Sequence, residues 1–182
     1  MTRWMKSVVL SCAVATSIAM VAPAHAADTY IKFSEFKGDT AIKGHEGEVT
    51  VLSWSWATTQ SRASGGGGAG KVQLTDLVFT KQIDSASPKL IEALTTGKTL
   101  REVVLFVAAP GGSNAAVLRI RLTDVFVTSV KASGALGASG LPTEEISLNF
   151  AGIEYSVTPQ DRSGKPGNPV TVKYDAKTGK TQ

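Results

Sequence analysis

The sequence predicts a mainly β protein, a barrel or sandwich of antiparallel strands that carries one helix. Three observations support this fold class. Several segments alternate apolar and polar residues at the period of a strand. Clusters of Gly, Ser, Pro and Asn separate these segments, as turns do between strands. A single segment, which begins at Ser87, has the spacing and the end signals of a helix.

The first 26 residues have the layout of a secretory signal peptide. Arg3 and Lys6 precede an apolar stretch at 7–22, and Ala24 and Ala26 supply the small residues that an export peptidase reads. The apolar stretch is shorter than the roughly 20 residues that a membrane-spanning helix needs. We therefore predict cleavage after Ala26 and export to the periplasm or the medium, with no membrane association afterwards.

The predicted mature chain, residues 27–182, has the size of one domain. Cleavage removes two of the 19 basic residues and none of the 15 acidic ones, so the net charge falls from +4 to +2. This near-neutral chain gives no case for binding nucleic acid. Cleavage also removes Cys12, the only cysteine, so stability must come from packing or assembly rather than from a disulfide.

The first part of the mature chain predicts two strands separated by a polar loop. Residues 29–36 form the first strand, residues 37–47 the loop, and residues 48–60 a strand rich in β-branched and aromatic side chains. Because side chains alternate across a strand, the second strand has two distinct faces. One face carries Leu52, Trp54 and Trp56, and the other carries Val51, Ser53 and Ser55.

A glycine run from Gly65 to Lys71 has the spacing of a phosphate-binding loop, but it departs from that motif in two ways. Val72 stands where the motif needs a Ser or Thr hydroxyl for magnesium. Residues 71–81 then alternate as a strand, whereas a phosphate loop opens a helix. The run is therefore interpreted as a long connection between two strands.

The predicted helix begins at Ser87-Pro88 and ends before Gly97. Ser87 is expected to cap it, and proline suits the first turn. Its apolar positions are Leu90, Ile91 and Leu94, which predict one stripe packed on a sheet.

Four further strands are predicted, at residues 101–109, 115–131, 144–158 and 170–174. In the third of these the apolar face changes at Ala151-Gly152, which suggests a bulge or a bend. The segments 103–107 and 125–127 are apolar on both faces and need a second cover. A neighbouring subunit could supply it, or the barrel wall and the helix could suffice; the pattern leaves both open.

The chain offers little for catalysis or metal binding. Its one mature histidine, His45, lies in the polar loop with no marked nucleophile nearby, and we expect it to be solvated. Zinc or copper sites need several ligands at workable spacing. Glu144 and Glu145 are adjacent on a strand, so they point to opposite faces. We therefore predict a non-enzymatic protein with no catalytic residue, no metal and no cofactor.

Two sets of side chains have both a functional and a structural interpretation. Arg119 and Arg121 share a strand face, with Lys131 farther along, and could line a site for an anionic partner. The alternative is the solvated face of an amphipathic strand. Trp54 and Trp56 could stack on a sugar or a base, although on a strand with Leu52 they are expected to belong to the core.

Together these segments resemble the haemolysin-coregulated protein (Hcp) family, whose members form the tube of type VI secretion. The resemblance covers nearly all of residues 28–174. It depends on a combination of motifs: Tyr30-Ile31-Lys32-Phe33, Lys37-Gly38, Trp54-Ser55-Trp56, the run Gly65 to Lys71, Asp76-Leu77, Phe79-Thr80-Lys81, Asp84, Ser87-Pro88, Leu90, Leu148-Asn149-Phe150-Ala151 and Tyr155.

The resemblance implies an antiparallel β-barrel with one flanking α-helix, similar to the tail tube of contractile phages. It implies six-membered rings with a central channel that stack into a tube, with sheath, spike and small effector proteins as partners. Ser55 is the candidate channel-facing residue, and Trp54 and Trp56 are the core residues that hold its strand. The candidate ring-stacking loop consists of Ser61, Arg62, Ala63, Ser64, Gly65, Gly66, Gly67, Gly68, Ala69 and Gly70.

The predicted signal peptide departs from the family pattern, because tube subunits of this family assemble in the cytoplasm. Two hypotheses follow. The chain is a structural ring protein of the tube class, or it is an exported binding module on the same fold that does not build tubes.

Overall fold

The computed structural model describes residues 28–62, 69–109, 113–134 and 140–181. Within these ranges the chain forms eleven strands and one helix. In chain order they are β1 Thr29–Phe33, β2 Val49–Val51, β3 Ser53–Ser55, β4 Thr58–Arg62, β5 Ala69–Leu74, β6 Leu77–Gln82, α1 Ser87–Thr96, β7 Leu100–Ala109, β8 Ser113–Ser133, β9 Thr143–Val157, β10 Val170–Asp175 and β11 Lys180–Thr181.

Seven strands pair in a closed ring, in the order β2-β1-β7-β8-β9-β6-β3, and every pair is antiparallel. The ring closes because β2 and β3 are consecutive and separated only by Leu52. The Leu52 N–H still donates to the Thr80 carbonyl at 2.8 Å, so the ladder continues through this kink. The predicted antiparallel β-barrel with a single helix is confirmed.

Two hairpins lie outside this ring. The β4–β5 hairpin is a separate two-stranded sheet. The β10–β11 hairpin extends the barrel wall, because β6 pairs with the first half of β9 and β10 with the second half. One long strand therefore has two different neighbours on the same edge.

The predicted strands at 48–60 and 71–81 are each broken in the structure. The first divides into β2, β3 and β4, and the second into β5 and β6. The breaks coincide at Ala57 and Thr75: the Thr75 N–H donates to the Ala57 carbonyl at 2.9 Å, and the Thr75 hydroxyl accepts the Ala57 N–H at 2.8 Å. Leu52 is 55% exposed, so the prediction that it shares a buried face with the two tryptophans is wrong.

The face of the β8–β9 ribbon that points into the barrel interior changes along the ribbon, and we call this change the crossing. Buried residues in β9 run Ile146, Leu148, Phe150 and then Ile153, and those in β8 run Ile120, Leu122 and then Val125, Val127. The predicted change of face at Ala151-Gly152 is confirmed. Of the two predicted causes, a bulge or a bend, the bulge is excluded because the register stays continuous here; the register shift lies between Val127 and Ser129. Asp124, opposite Ala151, adopts φ 49°, and this left-handed residue accompanies the crossing.

Helix α1 ends as predicted, at Gly97 with φ 65°, but its beginning differs. The residue in the capping position is Ala86, and it makes no side-chain cap. Ser87 is already inside the helix, and its hydroxyl is used elsewhere. Leu90 is fully buried, whereas Ile91 is 46% exposed, so the apolar stripe is narrower than predicted.

The Ser87 hydroxyl belongs to a buried polar cluster that joins α1, β6 and β9. It donates to Glu144 at 2.7 Å and accepts from the Lys81 ammonium at 2.9 Å. Lys81 is completely buried and also pairs with Asp84 at 2.6 Å and Glu144 at 3.0 Å. Removing one member of such a cluster leaves a buried charge unpaired, which typically costs about 3–5 kcal/mol. The cluster therefore fixes the helix against the barrel wall.

Candidate functional site

Strand β3 and the residue after it carry three of the residues that the sequence singled out, and these lie in different environments. Trp54 and Trp56 are half-buried and pack against the core, and the Trp56 ring lies 6.0 Å from that of Tyr155. Ser53 and Ser55 are exposed. A polar, solvent-facing serine is thus held by a strand whose opposite face is anchored. That Ser55 faces a channel stays a prediction.

The candidate stacking loop lies at the end of the β4–β5 hairpin. Ser61 and Arg62 are in β4, and Ala69 and Gly70 are in β5, with a register irregularity between Gln60 and Arg62. Residues 63–68 lie outside the described residues.

The predicted signal peptide also lies outside the described residues, which begin at Asp28. Cleavage after Ala26, with Ala24 and Ala26 as the small residues that the peptidase reads, therefore stays a prediction. Within the described ranges, no helix combines the length and the apolar character needed to cross a membrane.

His45 is buried, so the prediction that it is solvated is wrong. It is 8% exposed and stacks on Tyr30 with ring centroids 4.1 Å apart. Its Nδ1 lies 2.7 Å from the buried carboxylate of Glu48, to which it donates because an ionised carboxylate only accepts. Burial raises the pKa of the Tyr30 phenol, and the Asp28 and Glu48 carboxylates add to this effect.

Through His45, the polar loop covers part of the barrel wall. Residues 34–48 are called the covering loop, because their His45 lies over the outer face of β1 and β7, where the Phe106 ring is 5.9 Å from that of His45. The loop is held by Thr40, which pairs with Glu48 through the backbone and with Thr50 through its hydroxyl. The chain itself therefore covers apolar side chains of residues 103–107 that point away from the barrel interior. From the sequence we expected a neighbouring subunit, or the barrel wall and the helix, in this role.

The described residues give no sign of an acid–base or metal site. They contain no group of three or more His, Cys, Asp or Glu residues able to hold a metal ion. Glu144 and Glu145 do point to opposite sides, since Glu144 is buried with Lys81 and Glu145 pairs at the surface with Lys131 at 2.8 Å. These carboxylates are bound to cations and serve the structure.

The strand face with two arginines is neutralised by its surroundings. Arg121 contacts Glu102 at 2.6 Å and Glu154 at 3.6 Å. The Arg119 guanidinium lies 5.6 Å from the centre of the Phe106 ring. This arrangement favours the solvated-face interpretation over a lining for an anionic partner.

A pocket beside the end of β6 and the kink at Leu52 combines apolar and acidic residues, and sequence reasoning missed it. It has a volume of about 200 Å³. Exposed Leu52, Ile83 and Leu141 line it together with Asp39 and Asp84. Distant segments contribute to this pocket, which we call the apolar pocket, so spacing along the chain could not have revealed it.

A second uncovered apolar surface lies where β9 ends and β10 begins. Val157 and Val170 are paired across the two strands and are 38% and 69% exposed. Val172, two residues along β10 on the same face, is 46% exposed. We call these three residues the valine strip.

Comparison with known proteins assigns the fold to a family. The family described as "Type VI secretion system effector, Hcp" matches residues 30–157. Protein hcp1 of Pseudomonas aeruginosa is 42% identical over 154 residues, which cover 82% of this chain and 93% of that protein.

Solved structures agree with this assignment. One described as a type six secretion system protein superposes with a TM-score of 0.81 at 30% identity, covering 86% of this chain and all of the other. Hcp1 from Salmonella typhimurium gives a TM-score of 0.72 at 29% identity, covering 86% of this chain and 99% of the other. The chain therefore belongs to the Hcp family of type VI secretion proteins, a family of structural, secreted tube proteins rather than of enzymes.

Proposed function

We propose that this chain is a ring-forming tube subunit of a type VI secretion system, which assembles as a hexamer around a central channel. Family membership supports the tube role. The observation that carries the proposal is the β4–β5 hairpin, which forms a sheet of its own beside the barrel. The base of this hairpin lies beside β9 and β10, where Leu74 packs against the core, and its end is proposed to extend toward a second ring.

The hairpin end, residues 61–70, is proposed to make the ring-to-ring contact. Glycine backbones allow close approach of two chains, so amide and carbonyl groups can pair without side-chain obstruction. Stacked rings would then present the exposed serine face of β3 to the lumen of the tube. Ser55 is the proposed channel-facing position, where small effector proteins would pass or bind. Sheath and spike proteins are the other proposed partners.

The proposal is tested by the mass and shape of the purified mature chain. Native mass spectrometry and negative-stain imaging should show six-membered rings with a hole. Deleting residues 63–69 should leave single rings and abolish stacking; stacking that persists would contradict the assignment of the hairpin end.

Ser55→Trp tests the channel assignment. Because Ser55 is exposed, the variant should fold and form rings of unchanged size but retain less effector. Lys89→Trp on the outer face of α1 is the matched control, since Lys89 is also exposed. A Ser55→Trp chain that fails to fold would mean that the position belongs to the core.

The second candidate is an exported binding module on the same fold that does not build tubes. The apolar segment at 7–22 favours it, because a subunit delivered to the periplasm cannot polymerise on a cytoplasmic baseplate. A monomer at high concentration, recovered from the periplasm without residues 1–26, would support this candidate over the tube subunit.

A further inference from the structure

The valine strip is exposed and has a charged margin. Val170 is the most exposed of its three valines. The connection from Val157 to Val170 is folded back on itself, with the Gly167 N–H donating to the Pro159 carbonyl at 2.8 Å. This connection carries exposed Arg162 and Lys165, and neither side chain forms an ion pair within the described part of the chain.

The negative charge on the same connection, that of Asp161, is already engaged by hydrogen bonds within the turn. The Asp161 carboxylate accepts from the Ser163 hydroxyl and from the backbone N–H groups of Ser163 and Lys165. These hydrogen bonds, that of the Ser163 hydroxyl first, lower the pKa of Asp161. The two basic side chains are therefore the ones available to an outside partner beside the valine strip.

The apolar pocket has acidic residues around its apolar surface, whereas the residues beside the valine strip are basic. Leu52 and Leu141, 55% and 58% exposed, form its apolar part. Asp39 lies at its margin and is bound by the Ser85 hydroxyl and N–H, which lower the pKa of Asp39 and keep it charged. Asp84 also lines the pocket and pairs with Lys81 behind it.

These two surfaces lie on different strands of the barrel wall, and each supplies what the other lacks. An exposed valine strip with basic neighbours is complementary in charge to an apolar pocket with acidic neighbours. An interface made from two different patches is head-to-tail, and repetition of such a contact closes into a ring when the rotation per subunit allows it.

We propose that the valine strip of one copy of this chain docks into the apolar pocket of the next copy, with Val170 against Leu52 and the Arg162–Lys165 connection beside Asp39. This inference rests on the proposed ring, and it specifies the subunit-to-subunit contact within that ring.

A charge-pair experiment tests the contact directly. Val170→Glu and Leu52→Lys each place a charge on one side of the proposed contact. Both residues are more than half exposed, so each variant should fold with an unchanged circular dichroism spectrum. Native mass spectrometry should find each single variant monomeric at concentrations where the unmodified chain is a ring, with the assembly midpoint shifted at least tenfold.

The two single variants should repair each other when mixed in equal amounts. The carboxylate introduced by Val170→Glu in one chain then meets the ammonium introduced by Leu52→Lys in the next. The remaining contacts are unmodified, so rings with alternating chains should form. The double variant Val170→Glu/Leu52→Lys should assemble alone for the same reason. Ile91→Glu and Ile91→Lys on α1, where Ile91 is 46% exposed, control for the general effect of a surface charge.

The outcomes separate this contact from the ring itself. If the unmodified chain is a monomer, the proposed ring and this contact both fail. If the unmodified chain forms rings and either single variant still assembles equally well, the ring stands and the contact is wrong. A mixture that stays monomeric, or that stops at a pair of chains, would likewise overturn the head-to-tail contact.

Discussion

The outer face of β1 and β7 and the end of β9 and β10 both present large apolar side chains, but only the first is covered within the described residues. His45 of the covering loop stacks on Tyr30, which is 4% exposed. At the other region Val170 is 69% exposed and Val172 is 46% exposed. Apolar side chains are therefore covered in one region of the domain and exposed in the other.

This difference shows that strands apolar on both faces do not by themselves reveal a partner. A polar loop can cover such a face when it carries an aromatic side chain that a hydrogen bond holds in place. Here Glu48 holds the ring of His45 at 2.7 Å, and the ring stacks on Tyr30. Only the faces that stay exposed after the chain has covered its own surface point to another molecule.

The largest expected effect comes from removing the covered aromatic side chain of Tyr30. Tyr30→Ala should lower the free energy of unfolding by about 3–5 kcal/mol, as truncations of buried aromatic side chains do. Val170→Ala, the matched change at the uncovered region, should alter the stability of the monomer by less than about 0.5 kcal/mol. Urea unfolding below the assembly concentration measures both. Equal effects would remove the distinction between the two regions.

A smaller effect is expected from the anchor of the covering loop. Glu48→Ala leaves the buried Nδ1 of His45 without its partner and should cost about 1–3 kcal/mol. Replacing both partners by apolar groups, in Glu48→Leu/His45→Phe, should recover most of that loss, because no buried polar group is then unsatisfied. Thermal unfolding measures the effect, and protease cleavage within residues 37–47 should rise only in the single variant. A double variant as unstable as the single one would contradict this account.

The start of the covering loop should make stability depend on acidity. Burial alone would raise the pKa of Glu35, but hydrogen bonds from the Arg101 N–H and the Ser34 hydroxyl outweigh it and lower that pKa. A depressed folded-state pKa gives stability that is present above the unfolded value, about 4.3, and lost as pH falls through the folded value. When the pH is lowered from about 6, above the unfolded value, to about 3, below it, the melting temperature of Glu35→Gln should therefore fall less than that of the unmodified chain. An identical loss in both chains would refute this role.

The smallest effect is expected on the outer face of β8, which is covered by neither a loop nor an apolar partner. Arg121 is 39% exposed and bonds Glu102 through Nε at 2.7 Å and Nη2 at 2.6 Å. Because exposed ion pairs contribute little, Arg121→Met should cost less than about 1 kcal/mol. The difference should shrink further in about 1 M salt, which screens exposed charges. A larger, salt-independent loss in urea unfolding would show that this face is more than a solvated surface.

Sequence reasoning predicted the parts of the fold that depend on local pattern. The helix that ends at Gly97 and the strands β7, β8 and β9 follow from apolar periodicity and turn residues, and they lie close to where they were expected. The family followed from motifs spread over the chain. These features need no knowledge of which segments meet in space.

The features that sequence reasoning missed are set by contacts between distant segments. His45 is buried because β1 and β7 present Tyr30 and Phe106 to it. Ser87 is drawn away from capping by Glu144, 57 positions later. One signal was available: alternation from Phe79 places Lys81 on the buried face of β6, which indicates a buried, paired cation.

The crossing at Asp124 has a mechanical consequence for the whole domain. Strands β8 and β9 form the wall on both sides of the crossing, and they keep one continuous register through it. A side chain at Gly152 would come within 2.5 Å of the Thr123 hydroxyl, so the two strands are tightly apposed at that point. Neither end of the molecule can separate from this shared spine without disturbing the other. A subunit built this way is expected to transmit a push along its length as a single rigid element.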